Sequence, residues 1–219
     1  MAEHGARKIT NRGRRDRVIG KFMSVKMRKA IWWESQLERD YCYFLEYDRD
    51  VIAYRSQPIT ISYRFEDKVL QHTPDFEIIR RDLDLPQYAE VKPDDEAIKD
   101  EFIRLHRART AYFHVRGHEY ILRTGSQLRE GHQLKNIKLL HRYVQAPFDP
   151  VLMDRLRQGI PTQSSFSFLE LVDHCRMYEA DLSICYALMY RGEIAFNLAE
   201  PIAPDMRVTT AWSFHRTLT

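Results

Sequence analysis

The apolar positions between residues 34 and 47 recur with the spacing of a helix. A single apolar stripe is formed by residues at i, i+4, i+7 and i+8, namely Leu37, Tyr41, Phe44 and Leu45. Ser35, followed three residues later by Glu38, resembles a capping box at the start of this segment. The pattern therefore predicts an amphipathic helix over residues 34–47 that packs one face against a core.

Apolar and polar residues alternate after this helix, as is typical of half-buried strands. Strands are predicted over residues 51–57, 59–65, 69–79, 88–92 and 119–123. Pro74 lies inside the third of them and indicates a sheet edge or a bulge, because proline donates no backbone hydrogen bond. Helices are predicted over residues 95–116, ended by Gly117, and more weakly over 126–140. This mixture predicts an α/β fold.

A change in composition at residues 145–147 indicates a domain boundary. Beyond it, Asp149 and Pro150 begin a helix, Ser167 and Glu170 form a second capping box, and a third helix covers residues 180–191. Strands at 193–198 and 206–214 follow, and this order is that of a winged helix-turn-helix. The predicted domains are a basic flexible arm at 1–30, an α/β domain at 31–145 and a small winged-helix-like domain at 146–219.

Charge is distributed unevenly in this chain of 219 residues with a net charge of +3. Residues 1–30 are net +8, 31–100 net −8, 101–145 net +6 and 146–219 net −3. This pattern fits a polyanion-binding surface around an acidic centre, or an ordinary mixed surface. The sequence has no apolar run that would span a membrane, and its three cysteines lack metal-ligand spacing, so we expect a cytoplasmic protein.

The strongest candidate site joins Asp75 to Glu90 and Lys92. Residues i and i+2 of a strand share a face, so Glu90 and Lys92 project together, and Asp75 reaches them if the two strands are neighbours. Two carboxylates and the Val91 carbonyl form an all-oxygen site suited to Mg²⁺, with Mn²⁺ as a substitute. Lys92 would orient or deprotonate a water, or stabilise charge on a phosphate. The alternative is a set of inert ion pairs at the end of a sheet.

A third acid is supplied by the first helix. Glu38 borders the apolar stripe, where a packed helix would bring its carboxylate to the edge of the sheet, and Glu34 is the rival candidate. An ordinary exposed helical glutamate is the alternative. A helical acid, a Pro-Asp pair, a Glu-x-Lys strand and a following helix together resemble the core order of the PD-(D/E)xK nuclease superfamily.

Five sequence blocks narrow this resemblance to the TnsA family, the endonuclease subunits of heteromeric cut-and-paste transposases, including those of CRISPR-associated transposons. The blocks are residues 35–40, 45–51, 56–58, 73–76 and 90–93. The resemblance implies a restriction-endonuclease-like N-terminal domain with the catalytic residues Glu38, Asp75, Glu90 and Lys92. It also implies metal-dependent cleavage of the non-transferred strand at the 5′ ends of a transposon, with the transposase TnsB and the AAA+ regulator TnsC as partners. Some relatives carry Gln in place of Glu90, so a second acid is expected to strengthen metal binding.

Basic residues are the candidate contacts for DNA phosphates. In the arm and on the helix after the Glu-x-Lys strand we expect them to be Arg12, Arg14, Arg15, Lys29, Arg104 and Arg107. A solvated helical face is the alternative for the last two. The helix at 180–191 is mostly apolar, so the C-terminal domain is expected to dock proteins rather than read bases. A stand-alone nuclease of the same superfamily and a non-enzymatic DNA-binding protein remain the competing functions.

Overall fold

The computed structural model describes residues 19–147 and 149–212. The chain forms two compact units, Met1–Glu130 and Gly131–Thr219, and each is described by itself. The division lies before the boundary predicted after residue 145, because helix α5 (Gln133–His141) packs with a helix of the second unit. No helix in the described ranges has the length and apolar character needed to cross a membrane.

An antiparallel hairpin occupies part of the region predicted as a flexible arm. Strands β1 (Gly20–Ser24) and β2 (Lys29–Trp33) pair along their whole length, with Phe22 opposite Ile31. Alternate residues are buried, and Phe22, Ile31 and Trp33 belong to the main core. The prediction of an arm through residue 30 is therefore wrong from Gly20 onward, because period-two burial secures this segment to the core. Residues 1–18 of the predicted arm lie outside the described residues.

Helix α1 (Gln36–Tyr47) confirms the first predicted helix. Ser35 caps it by accepting the Glu38 N–H at 3.1 Å. The Glu38 carboxylate accepts the backbone N–H of Glu34 at 2.7 Å, so the predicted capping box is displaced by one residue. At the other end, the Lys26 ammonium donates to the carbonyls of Leu45 and Asp48 at 2.8 and 2.6 Å, which satisfies acceptors at the helix C-terminus.

The strands after α1 build two sheets. Strand β3 (Val51–Ser56) is followed by a hairpin of β4 (Ile61–Phe65) and β5 (Lys68–His72), and then by β6 (Phe76–Arg80) and β7 (Gln87–Lys92). The single strand predicted over 69–79 is thus two strands in different sheets. The break falls at residues 73–75, where Pro74 has no N–H to donate to a ladder.

A helical crossover between two parallel strands completes the main sheet. Helices α2 (Asp94–Ala97) and α3 (Asp100–His114) replace the one helix predicted over 95–116, and strand β8 (Tyr120–Thr124) follows. The strand order is β3-β6-β7-β8, with β7 and β8 parallel and the other neighbours antiparallel. This mixed sheet confirms the predicted α/β class.

Each face of the sheet carries its own apolar cluster. On one face, Leu37, Tyr41 and Leu45 of α1 pack on Phe76 and Ile78 of β6. On the other, Tyr88 and Tyr120 of the sheet pack with Phe113 of α3, and Ile61 and Tyr63 of β4 join them. The successive residues of β7 therefore face different helices, which sends Glu90 and Lys92 toward the α3 side.

The segment predicted as a weaker helix over 126–140 contains two helices. Helix α4 (Gly125–Arg129) ends the first unit, and α5 begins the second. Gly131 lies between them with φ of 67°, a left-handed conformation that glycine adopts without steric cost.

The second unit combines helices with a small antiparallel sheet. Helix α6 (Pro150–Gly159) begins after the Asp149 cap, and β9 (Ser165–Ser167) leads into α7 (Phe168–Met177) through the predicted Ser167 capping box. Helix α8 (Leu182–Arg191) precedes β10 (Ile194–Phe196) and β11 (Arg207–Thr210), and the sheet order is β10-β11-β9. These elements fit a winged helix, which stays a prediction. The end of the strand predicted at 206–214 lies outside the described residues.

Candidate active site

The four predicted catalytic residues lie around one edge of the main sheet. Strand β6 begins where β7 ends, and Phe76 pairs with Ala89, so Asp75 enters the sheet beside Glu90. The first turn of α1 brings Glu38 to the same region, where its carboxylate interacts with both Asp75 and Lys92. Residues from three separate parts of the sequence are thereby brought into one electrostatic group.

Asp75 is held through its side chain and its backbone. Its Oδ2 accepts the Val91 N–H at 2.7 Å, and its carbonyl accepts the N–H of Gln57 at 2.9 Å. Burial, and after it the Glu38 carboxylate, raise the pKa of Asp75 to about 8, although Lys92 and the Val91 N–H oppose the shift. The Asp75 carboxyl group is thus fixed by hydrogen bonds, but the positive charge around it is too small to offset the effects of burial and of Glu38 on its pKa.

The pKa of Glu38 is raised for the same main reason as that of Asp75. Glu38 is buried, and burial raises its pKa, as does the nearby Glu34 carboxylate, while the Glu34 N–H, Ser35 and Lys92 lower it. Glu34, the rival candidate, is also buried. The Glu38 charge is among the largest influences on the pKa of Asp75, so Glu38 stays the predicted helical acid of the site.

Glu90 is surrounded by hydrogen-bond donors. Arg109 donates through Nη1 to Oε1 at 3.1 Å and to Oε2 at 2.9 Å, and the Tyr120 hydroxyl donates to Oε2. His72 Nε2 lies 3.6 Å from the same oxygen. Burial alone would raise the pKa of Glu90, but His106, His72, Arg109 and Lys92 together hold it well below its ordinary range. Glu90 is therefore a stable buried anion.

Lys92 lies against Glu90 and is also influenced by the charge of Asp75. Its ammonium is 3.4 Å from Glu90 Oε1. Burial would lower the pKa of Lys92, but the Asp75 and Glu90 carboxylates raise it above its ordinary value. Lys92 therefore remains protonated in this arrangement, which suits it to stabilise negative charge on a phosphate rather than to act as a base.

The donor set suits a hard divalent cation, but its arrangement in the structure does not yet form a cage. Glu38, Asp75 and the Val91 carbonyl supply oxygen, the ligand type that Mg²⁺ prefers. The raised pKa values of Glu38 and Asp75 mark a place where added positive charge would stabilise the fold. Within the described residues, however, no three His, Cys, Asp or Glu side chains lie close enough to share an ion. The residues fit the metal provided that the side chains adjust around it.

The predicted DNA contacts fall in different environments. Arg12, Arg14 and Arg15 lie outside the described residues. Lys29 is exposed at the start of β2, and Arg107 is exposed on α3. Arg104 is also exposed on α3, where it donates to Glu66 at 3.1 Å. The two helical arginines therefore share the outer face of α3, as their spacing predicts.

Three further features of this site were not predicted as part of it. The first is the pair Tyr120 and Arg109, which both contact Glu90. The second is His72, whose Nε2 is hydrogen-bonded to the Tyr120 hydroxyl at 2.8 Å. Burial lowers the pKa of His72 to about 4, so its ring is neutral at pH 7. The third is Gln57, buried beside Asp75 with φ of 46°, a strained conformation for a residue other than glycine. Helical periodicity on α3 was the available signal for Arg109. Arg109 lies four residues before the buried Phe113 and therefore shares the inner face of the helix with it.

Two comparisons with known proteins bear on this geometry. A search among curated proteins gave no match to the chain. A family model described as "TnsA-like endonuclease N terminal" matches residues 48–125. The matched region runs from the end of α1 through β8 and so contains Asp75, Glu90 and Lys92, while Glu38 lies before it.

Proposed function

We propose that this chain, whose residues 48–125 match the model of the TnsA-like endonuclease N-terminal domain, is the metal-dependent endonuclease subunit of a heteromeric transposase. In this role it cleaves the non-transferred DNA strand at the 5′ ends of a transposon. The observation that carries the proposal is the electrostatic group at the sheet edge, where Asp75 is repelled by Glu38 and attracted by Lys92. The partner in a surface ion pair lowers the pKa of a carboxyl group, whereas burial and a second acid raise the pKa of both carboxyl groups here.

Asp75, Glu38 and the Val91 carbonyl are the groups proposed to hold Mg²⁺, with Mn²⁺ as a substitute, and Glu90 is the fourth candidate ligand. Bound there, the ion would polarise a phosphate and lower the pKa of a water. The chain's own contribution is to fix these groups, since the Val91 N–H orients Asp75 and the Glu34 N–H orients Glu38. Protonated Lys92 supplies the positive charge that opposes the charge developing on the phosphate.

DNA would approach this edge across the outer face of α3. Arg104 and Arg107 project there, Lys29 adds a cation on the hairpin, and each is proposed to contact the backbone rather than bases. Arg12, Arg14 and Arg15 are proposed contacts from sequence alone. Backbone contacts carry no sequence information, so the choice of cleavage site would come from a partner.

The second unit is proposed to dock proteins rather than DNA bases. The buried residues of α8 include Ile184, Leu188 and Met189, so most of this helix serves the core and presents few polar groups. A recognition helix instead exposes donors and acceptors to the groove. TnsB and TnsC are the proposed partners, and a cytoplasmic location on bacterial DNA follows from the same proposal.

The deciding experiment measures strand-specific cleavage of transposon-end DNA in Mg²⁺, with and without the partner transposase. We expect cleavage of the 5′ strand only with the partner, and its loss in Asp75→Asn. Efficient, site-specific cleavage by the chain alone would support a stand-alone nuclease instead. If Asp75→Asn cut as well as the wild type, the assignment of the site would be wrong, and a folded wild type that binds DNA but never cuts would favour a non-enzymatic function.

A further inference from the structure

Arg109 lies on the inner face of α3, unlike the arginines that precede it on the same helix. Arg104 and Arg107 are exposed, whereas the Arg109 side chain is 12% exposed. With 3.6 residues per turn, Arg109 shares its face with His106 and Phe113, which pack toward the sheet. Its position is therefore that of a group serving the interior, and a DNA phosphate would not reach it without displacing these contacts.

The guanidinium is committed to two partners. Nη1 donates to both oxygens of the Glu90 carboxylate, at 2.9 and 3.1 Å, and Nε donates to the Tyr63 hydroxyl at 3.2 Å. Tyr63 belongs to β4 and Glu90 to β7, so Arg109 joins α3 to two different strands. Such a charge-assisted contact fixes the direction of the carboxylate as well as its charge.

The Glu90 carboxylate has little remaining capacity. A carboxylate offers about four acceptor positions. Arg109 and Tyr120 donate to it, and the Lys92 ammonium lies 3.4 Å from Oε1. The Tyr120 hydroxyl is itself held by His72 at 2.8 Å. Glu90 is thus an internally compensated group and differs in this respect from Asp75.

Lys92 is attracted by both acids, and their balance decides where its ammonium lies. Asp75 and Glu90 both act on it. Neutralising Glu90 weakens the pull of that carboxylate on Lys92 and leaves the ammonium for Asp75 and an incoming phosphate. If the guanidinium were removed, a buried uncompensated carboxylate would remain 3.4 Å from Lys92 and would bind it more strongly.

We propose that Arg109 is a positioning residue for the cleavage reaction, which neutralises and orients Glu90 so that the Lys92 ammonium, 3.4 Å from Glu90 Oε1, is not held there too tightly to reach a DNA phosphate. This inference rests on the proposed endonuclease function. Arg109 acts through Glu90 and Lys92 and touches neither DNA nor metal. Its effect is therefore expected in the rate of the chemical step and not in DNA affinity.

The test compares Arg109→Gln with Arg107→Gln, a matched change two residues away on the exposed face. Single-turnover cleavage at saturating DNA and Mg²⁺ is measured with the partner transposase, together with the Kd for DNA. Arg109→Gln is expected to lower the saturated rate about 100-fold, the size expected for a misplaced catalytic group, with a Kd within about twofold of wild type. Arg107→Gln is expected to raise the Kd instead.

Rescue variants separate positioning from a general loss of structure. Arg109→Lys keeps the charge and should recover part of the rate. The double variant Glu90→Gln with Arg109→Gln removes the uncompensated anion while keeping a ligand oxygen at position 90, and should cleave at least tenfold faster than Arg109→Gln. In metal-free urea unfolding, Arg109→Gln should lower the midpoint and the double variant should recover most of the loss.

The outcomes distinguish this inference from the proposed function. Loss of DNA affinity in Arg109→Gln, a wild-type saturated rate in that variant, or a folded double variant no faster than Arg109→Gln would each overturn the positioning role. A wild-type chain that does not cleave would instead remove the proposed function. The metal-free unfolding would then still decide whether Arg109 neutralises Glu90, because absence of recovery in the double variant would contradict the pairing.

Discussion

Replacing Asp75 by asparagine is expected to stabilise the metal-free protein while abolishing cleavage. The pKa of Asp75 is raised from 3.8 to about 8. At pH 7 the folded state therefore retains a proton on Asp75 that the unfolded chain has released. The interval from the unfolded pKa of 3.8 to pH 7 is about three pH units, and at 1.36 kcal/mol for each unit the free energy of unfolding is lower by about 4 kcal/mol. Asparagine is nearly isosteric, its Oδ1 accepts the Val91 N–H, and it has no charge to desolvate. We expect a gain of about 1 to 4 kcal/mol.

The sign of the pH dependence follows from the raised pKa. Between pH 3.8 and about 8 the folded wild type binds more protons at Asp75 than the unfolded chain. This contribution to wild-type stability therefore falls as pH rises through that window, and the advantage of Asp75→Asn grows with pH. Urea unfolding followed by circular dichroism at pH 5 and pH 7.5, in the presence of a chelator, measures both values.

A control variant and two contrary outcomes complete the test of Asp75→Asn. Asp67→Asn changes an exposed aspartate in the turn between β4 and β5, and should alter stability little at either pH. Added Mg²⁺ should raise the unfolding midpoint of the wild type and not that of Asp75→Asn. If Asp75→Asn were less stable than the wild type, or if its advantage shrank as pH rose, the carboxyl would not be under the electrostatic penalty described.

Four other substitutions test the fold and the DNA surface. Tyr54→Phe removes a donor from the buried Glu46 carboxylate, a hydrogen bond of 2.8 Å, and should cost about 1.5 to 3 kcal/mol in urea unfolding. Leu188→Ala empties part of the second unit's core, where Leu188 is fully buried, and should cost about 2 to 5 kcal/mol by the same assay. Arg104→Gln and Arg107→Gln should each reduce the salt dependence of DNA binding by about one counterion, so unchanged slopes in a salt titration would remove them from the interface.

Local signals made several elements predictable from the sequence. Ser35, Asp149 and Ser167 cap helices where predicted, because a side-chain oxygen that accepts an early backbone N–H acts within a few residues. Gly192 ends α8 in the left-handed conformation for a similarly local reason. These features require no knowledge of tertiary contacts.

Segments that depend on distant partners were predicted less well. Strand β1 and the start of β2 were assigned to an arm because basic residues dominate the count there, although Phe22, Ile31 and Trp33 supply apolar side chains that the hairpin buries. The strand predicted over 69–79 was divided because its halves join different sheets, and the sequence marked this only through Pro74. In the first case the basic residues, and in the second the unbroken run of strand-forming residues, outweighed the signals that mark the actual elements.

The sequence placed Asp75, Glu90 and Lys92 together because strand periodicity and neighbouring strands are sufficient for that. It did not predict the electrostatics, since Arg109 and Tyr120 reach Glu90 from other elements and belong to no local motif. The expectation that a second acid strengthens metal binding treated Glu90 as an unpaired anion. With Arg109 paired to it, Glu90 adds less negative charge to the site than a count of acids implies. The attraction for a cation is then concentrated at Asp75 and Glu38, the two carboxyls with raised pKa values.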